Sequence, residues 1–171
     1  MSAIVSYIKN DILYVFDEIQ IWSSNTDELA EEIHNRYPGK KIFAYPDPAA
    51  RQRRTSSARR TDASILQNAG FITKLPGRHM SIRDRINSVN SKFCNAAGLR
   101  GIIVHPRCRH LINSLVKHTY KEGTSLPNKT DGLDHMNDAL GYKVSFLYPI
   151  VRQTENEDPQ RFTVRTGNGR I

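Results

Sequence analysis

Four ionisable side chains crowd one short stretch of this chain: Asp131, Asp134, His135 and Asp138. On a helix, residues three or four positions apart share a face. Asp134 and Asp138 then stand one turn apart, with His135 beside them. Like charges at that spacing destabilise a helix by about 0.2–0.5 kcal/mol. The positive helix N-terminus offsets part of this repulsion, and a bound cation would offset more. A further carboxylate, Asp47, closes the apolar run KKIFAYPD at residues 40–47. The run reads as a buried strand, and the end of such a strand is where open α/β sheets place ligands. An Asp there, facing acids on a helix, would suit magnesium or manganese, which take oxygen ligands. The same residues also fit a plainer arrangement, with acids capping a helix in water and an Asp between prolines making a turn. Spacing alone does not separate the two.

Arg51, Arg53, Arg54, Arg59 and Arg60 follow Asp47 within fourteen positions. Such a loop suits a phosphate backbone, although charge runs are commonly just solvated. Lys and Arg number 25 against 17 Asp and Glu, a net charge of +8, which favours a polyanionic partner. No apolar run approaches the roughly 18 residues of a membrane span. The N-terminus lacks a signal-peptide pattern. Cys94 and Cys108 make no disulfide framework, and a reduced, intracellular setting is the simpler expectation. His105, Cys108 and His110 match no zinc spacing; a buried Cys at a helix start between surface histidines is the expectation.

The elements that must position these residues follow from periodicity. Residues 2–8 and 12–21 alternate as strands around a break at Lys9, Asn10 and Asp11, which predicts a hairpin. In the second strand, Ile12, Tyr14 and Phe16 share one face and Leu13 and Val15 the other. Asn25 with Glu28 predicts a capped helix start, and Leu29, Ile33 and Tyr37 continue at helical spacing until Pro38-Gly39. After the strand at 40–47 and the Arg-rich loop come a helix at 62–69, a strand at 71–75, a helix at 81–97, a strand at 101–105 and a helix at 107–120. The last helix spans about 132–148, and a polar tail follows from 150. A hairpin followed by alternating strands and helices predicts a mixed α/β sheet.

Four segments, in order, resemble one known family. YPDPAARQRRTSSARRTDASILQNAGF is similar to a strand, Asp-Pro-Ala-Gly, an Arg/Thr/Ser loop, a helix and Gly-Phe. SIRDRINSVN resembles an Asp-Arg-Ile-Asn-x-Val segment, DHMNDALGYKV a closing His-x-x-Asp-Ala-x-x-Tyr, and VFDEI a strand ending in Asp-Glu. Together they resemble the C-terminal nuclease of phage terminase large subunits, from about Ser2 to Tyr148. One departure is Pro-Ala-Ala where the family has Pro-Ala-Gly.

The resemblance implies a ribonuclease H-like mixed sheet flanked by helices over residues 1–149, with a tail at 150–171. It also implies a two-metal endonuclease that cuts concatemeric viral DNA, with Mg²⁺ or Mn²⁺. Asp47 and Asp138 would be catalytic metal ligands, with His135 beside Asp138, and Asp134 and Glu18 would be accessory metal acids; Asp131 is a further acid at the same helix start. Arg51, Arg53, Arg54, Arg59 and Arg60 would contact DNA. Implied partners are double-stranded DNA, a portal protein, a small terminase subunit and an ATPase domain. No Gly-rich loop ending in Gly-Lys-Ser/Thr occurs here. The implied setting is the host cytoplasm, not the mature virion. The family's first, central strand carries a further Asp, and the segment matched by MSAIVSY follows that strand. The sheet is therefore expected to lack it, and the isolated chain to be impaired. Two alternatives stand: a non-catalytic DNA-binding or assembly module, and another ribonuclease H-like nuclease such as a junction resolvase.

Overall fold

The hairpin forms from β1 (Ser2–Lys9) and β2 (Ile12–Gln20), paired antiparallel. Its turn is two residues rather than three, because Lys9 still pairs with Ile12. Asn10 and Asp11 hold φ of 50° and 60°. Two-residue hairpins favour positive φ at both positions, and Asn and Asp tolerate it better than most side chains. Alternation then sets the faces. Leu13 and Val15 are buried, while on the other face the Tyr7 ring meets those of Tyr14 and Phe16. The register shifts between Val5 and Ser6, leaving Phe16 as the extra residue of a bulge.

The computed structural model describes residues 1–52, 60–77, 80–124, 127–129 and 132–150. Within it, β5 (Ile102–Val104), numbered in chain order, pairs parallel to β2, giving a mixed sheet of order β1-β2-β5. Two short strands, β3 (Phe43–Ala44) and β4 (Ile72–Thr73), form a separate parallel pair. Among the described residues, β1 and β3 each keep one edge without a strand neighbour. The run at 40–47 is therefore not the buried strand expected. Only two of its residues are paired, and Phe43 is 46% exposed, with the ammonium groups of Lys41 and Lys74 each 5.8 Å from its ring centre. A strand paired on one side only gives its side chains little cover.

Among the described residues, five α-helices flank these sheets. α1 (Thr26–Arg36) starts with the expected capping box: Glu28 N–H donates to Asn25 at 2.9 Å, and the Glu28 carboxylate accepts from Asn25 N–H. α1 and α2 (Asp62–Asn68) bury Ala30, Leu66 and Phe71 in a small cluster beside the β3–β4 pair. α3 (Ile82–Phe93), α4 (Arg109–Lys117) and α5 (Asp134–Leu147) cover the inner face of the larger sheet. There Leu13, Val15, Val89, Ile102, Leu111, Met136, Leu140 and Val144 form the main core. Fully burying one such side chain contributes roughly 1.5–3 kcal/mol, so this cluster dominates the stability.

α5 ties the two halves together. It packs on α3, α4 and β1, and it also reaches the second sheet, where Phe146 meets the Tyr45 ring edge-on at 5.3 Å. The result is a mixed α/β fold: a small mixed sheet flanked by helices. No described helix is long and apolar enough to cross a membrane.

Candidate functional site

Asp47 stands at the mouth of the second sheet, exposed, where β3 gives way to a short 3₁₀ turn at Pro48–Arg51. Its Oδ1 accepts from Ala49 N–H at 2.8 Å, which fixes the rotamer. Its Oδ2 accepts from the Tyr142 hydroxyl at 2.7 Å. Tyr142 lies on α5, one turn after Asp138, and its ring carries the Arg85 guanidinium 4.6 Å from its centre. Arg85 donates to Asp138 Oδ1 at 2.5 Å. Gly141 lets the two chains pass closely: a Cβ there would lie 3.0 Å from the Arg85 side chain, which would have to give by a few tenths of an ångström. Asp47 and Asp138 are thus gathered on one Tyr142–Arg85 bridge.

The electrostatics match this geometry. Burial pushes the Asp138 carboxyl above its usual range. Arg85 and Lys129 pull it down, while Asp134 and Asp47 push it up. The Tyr142 hydroxyl is raised by burial and by its bond to Asp47. Asp134, in the first turn of α5, is buried at 6% exposure. Lys129 lies 3.9 Å and His135 Nδ1 3.6 Å from its oxygens, and its Oδ1 accepts no hydrogen bond among the described residues. The His135 side chain is exposed and turns towards Asp134.

Other expected residues have different surroundings. Glu18 accepts from the N–H groups of His110 and Leu111, both at 2.8 Å, so both its oxygens cap α4. Beside it, burial pushes Asp17 up, but hydrogen bonds from Tyr37, backbone Glu18 and Arg36, with the charge of Arg107, outweigh that and hold it low. Arg51 donates to the carbonyls of Pro76 and Leu75 at 3.1 and 3.4 Å, tying the turn to the loop after β4. Arg60 pairs with Asp27 at 2.9 Å. Arg53, Arg54, Arg59 and Asp131 lie outside the described residues, as does the tail at 151–171. Cys108 is the fully buried residue preceding α4, between exposed His105 and His110.

Sequence reasoning missed Arg85 and the role of Tyr142. A signal was present for Tyr142, one helical turn after Asp138 and on its face. Arg85 stands inside SIRDRINSVN, one of the segments that carry the family resemblance, but nothing local showed that it reaches Asp138 across 53 positions.

Oxygen donors of this kind suit a hard divalent cation. Their number falls short: among the described residues no three His, Cys, Asp or Glu side chains are placed to hold one metal ion. Two carboxylates already bonded to Tyr142, Ala49 and Arg85 do not by themselves make a metal centre.

Comparisons with protein-family models, with curated proteins and with solved structures find no match to this chain.

Proposed function

We propose that this chain is the nuclease part of a viral DNA-packaging terminase, with a ribonuclease H-like sheet, acting on concatemeric double-stranded DNA in the host cytoplasm with Mg²⁺ or Mn²⁺. The observation that carries this reading is the meeting of Asp47 and Asp138. One comes from a strand end and one from the last helix, and a single pair of side chains gathers them. Asp134, buried in the first turn of α5, adds a further carboxylate near Asp138, and the exposed His135 lies beside it.

The edges of β1 and β3, without a strand neighbour among the described residues, also support the reading. In it, a further strand carrying a third acid pairs between them and raises the donor count to what a metal centre needs. Lys143 touches both sides: its Nζ donates to Ser6 Oγ of β1 at 2.7 Å and sits 5.3 Å from the ring centre of Tyr45, the residue after β3. The Arg-rich loop would hold the DNA backbone. A portal protein, a small terminase subunit and an ATPase domain are the partners this function requires. A second reading, a DNA-binding or assembly module without catalysis, is favoured by the short donor set alone.

The test is manganese-dependent nicking of a supercoiled plasmid. The chain alone should nick slowly. Adding an Asp-bearing strand, fused ahead of Ser2 or supplied as a peptide, should raise the rate by orders of magnitude, as expected when a metal site is completed. Asp47→Ala and Asp138→Ala should each abolish the gain. DNA binding with no nicking in any of these forms would establish the non-catalytic module instead.

A further inference from the structure

The pairing of the hairpin fixes which backbone groups β1 leaves free. Leu13 N–H donates to Gly101 O at 2.9 Å, and Val15 O accepts from His105 N–H at 2.8 Å. Both residues thus turn their backbone towards β5. Ile8–Leu13 and Ser6–Val15 are then the non-hydrogen-bonded pairs of the hairpin. Ser6 and Ile8 therefore turn their N–H and C=O groups to the other edge of β1, which has no strand neighbour among the described residues. Bare groups of this kind are a template for another strand.

Lys143 marks the same edge. From α5, its Nζ donates to Ser6 O at 3.4 Å and to Ser6 Oγ at 2.7 Å, and it lies 5.3 Å from the Tyr45 ring centre. Burial lowers its ammonium to about 8, and among the described residues no neighbouring charge opposes that shift. The Arg85 guanidinium is also well covered, but Asp138 answers its charge. A covered cation without a counter-charge is costly. β1 itself, SAIVSYIK, carries no acid, so a second copy pairing edge to edge would bring none.

We propose that this edge takes an extended segment bearing an acidic side chain, its backbone paired with Ser6 and Ile8 and its carboxylate, on the α5 side, paired with Lys143. Strand addition draws affinity from main-chain bonds and specificity from alternate side chains. Asp138 lies five positions before Lys143, about 7.5 Å along the helix axis. The acid that meets Lys143 thus stands apart from one that would join Asp138 at a metal. The inference rests on the nuclease reading for the strand that adds to β1, but its test reads binding rather than cleavage.

The full chain, isotope-labelled, is titrated by NMR with the capped peptide Thr-Val-Thr-Asp-Thr-Val-Thr and with its Asn and Lys counterparts. The Asp peptide should shift the Ser6 and Ile8 amides and slow their exchange with solvent. It should bind roughly tenfold more tightly than the Asn peptide, as a hydrogen bond between charged groups provides, and the Lys peptide should not bind. It should also raise the titration of Lys143 above about 8. In Lys143→Met the Asp and Asn peptides should bind alike. The peptide series on the unaltered chain decides the matter even where that variant fails to fold. Equal binding of the Asp and Asn peptides, shifts confined to other surfaces, no binding, or a dimer of the chain through β1 would overturn the proposal. Acid-dependent binding without cleavage by any strand-completed chain would sink the nuclease reading alone. Cleavage that gains equally from an added strand with Asp or Asn facing Lys143 would sink the present proposal alone.

Discussion

Tyr142 donates its hydroxyl hydrogen to Asp47 Oδ2 at 2.7 Å across 95 positions of chain, and the same ring supports Arg85, the partner of Asp138. One side chain therefore sets both carboxylates. Tyr142→Phe keeps the ring and removes the donor. Because Asp47 is exposed, the cost should lie at the low end of a hydrogen bond, about 0.5 kcal/mol. Tyr142→Ala also removes the support of Arg85 and should cost at least about 2 kcal/mol. Urea unfolding of the two variants separates the contributions.

Arg85 and Asp138 should behave as a coupled pair. The Arg85 side chain is only 11% exposed, so Asp138→Asn strands a guanidinium among apolar neighbours and should destabilise by about 1–3 kcal/mol. Arg85→Met with Asp138→Asn should recover part of that loss. A double-mutant cycle measures it, and additive losses would mean that the pair contributes nothing beyond its parts.

Lys143 makes stability depend on pH. Burial lowers its ammonium to about 8, against 10.5 for an exposed lysine. Between those values the unfolded chain binds a proton that the folded one does not. Stability from this group should therefore rise with pH from about 8 to 10.5 and be lowest below that window. Lys143→Met should flatten the rise, as measured by chemical unfolding at pH 7 and pH 9.5.

DNA affinity should fall steeply with salt, each phosphate contact adding about 0.9 to the slope of log affinity against log salt. Arg51 and Arg60 already have protein partners, which divides the loop. Replacing Arg53, Arg54 and Arg59 with Ala should flatten the slope by about 2–3. Arg51→Ala should mainly lower the melting temperature. An unchanged slope in the triple variant would return those side chains to solvent.

The hairpin and the capped start of α1 were legible because their causes are local. Asn10-Asp11 between alternating strands, and Asn25 with Glu28, each specify a structure within a few residues. The convergence of Asp47 and Asp138 was expected only through the family resemblance; strand-end and helix positions said that each could act, not that they meet. Glu18 shows the limit. The family resemblance implies an accessory metal acid here, yet its oxygens accept the first free N–H groups of α4, a helix that begins 91 positions later at Arg109. The length of β3 was overestimated for a similar reason. An apolar run signals burial, but only a neighbour on each side supplies it, and no periodicity in the run itself reports the neighbour.

The placement of α5 has a consequence for how the chain acquires its fold. Ser6 meets Lys143 across 137 positions, and Asp11 meets Tyr148 across the same span. The hairpin and the capped helices can form early from nearby residues, but the main core closes only when a helix near the far end of the sequence arrives. Long-range closure of this kind slows folding. During synthesis, Leu13 and Val15 should stay open to solvent until residues 134–147 have left the ribosome, and in that interval the chain should depend most on chaperones. Deleting those residues should leave an aggregating hairpin rather than a smaller domain.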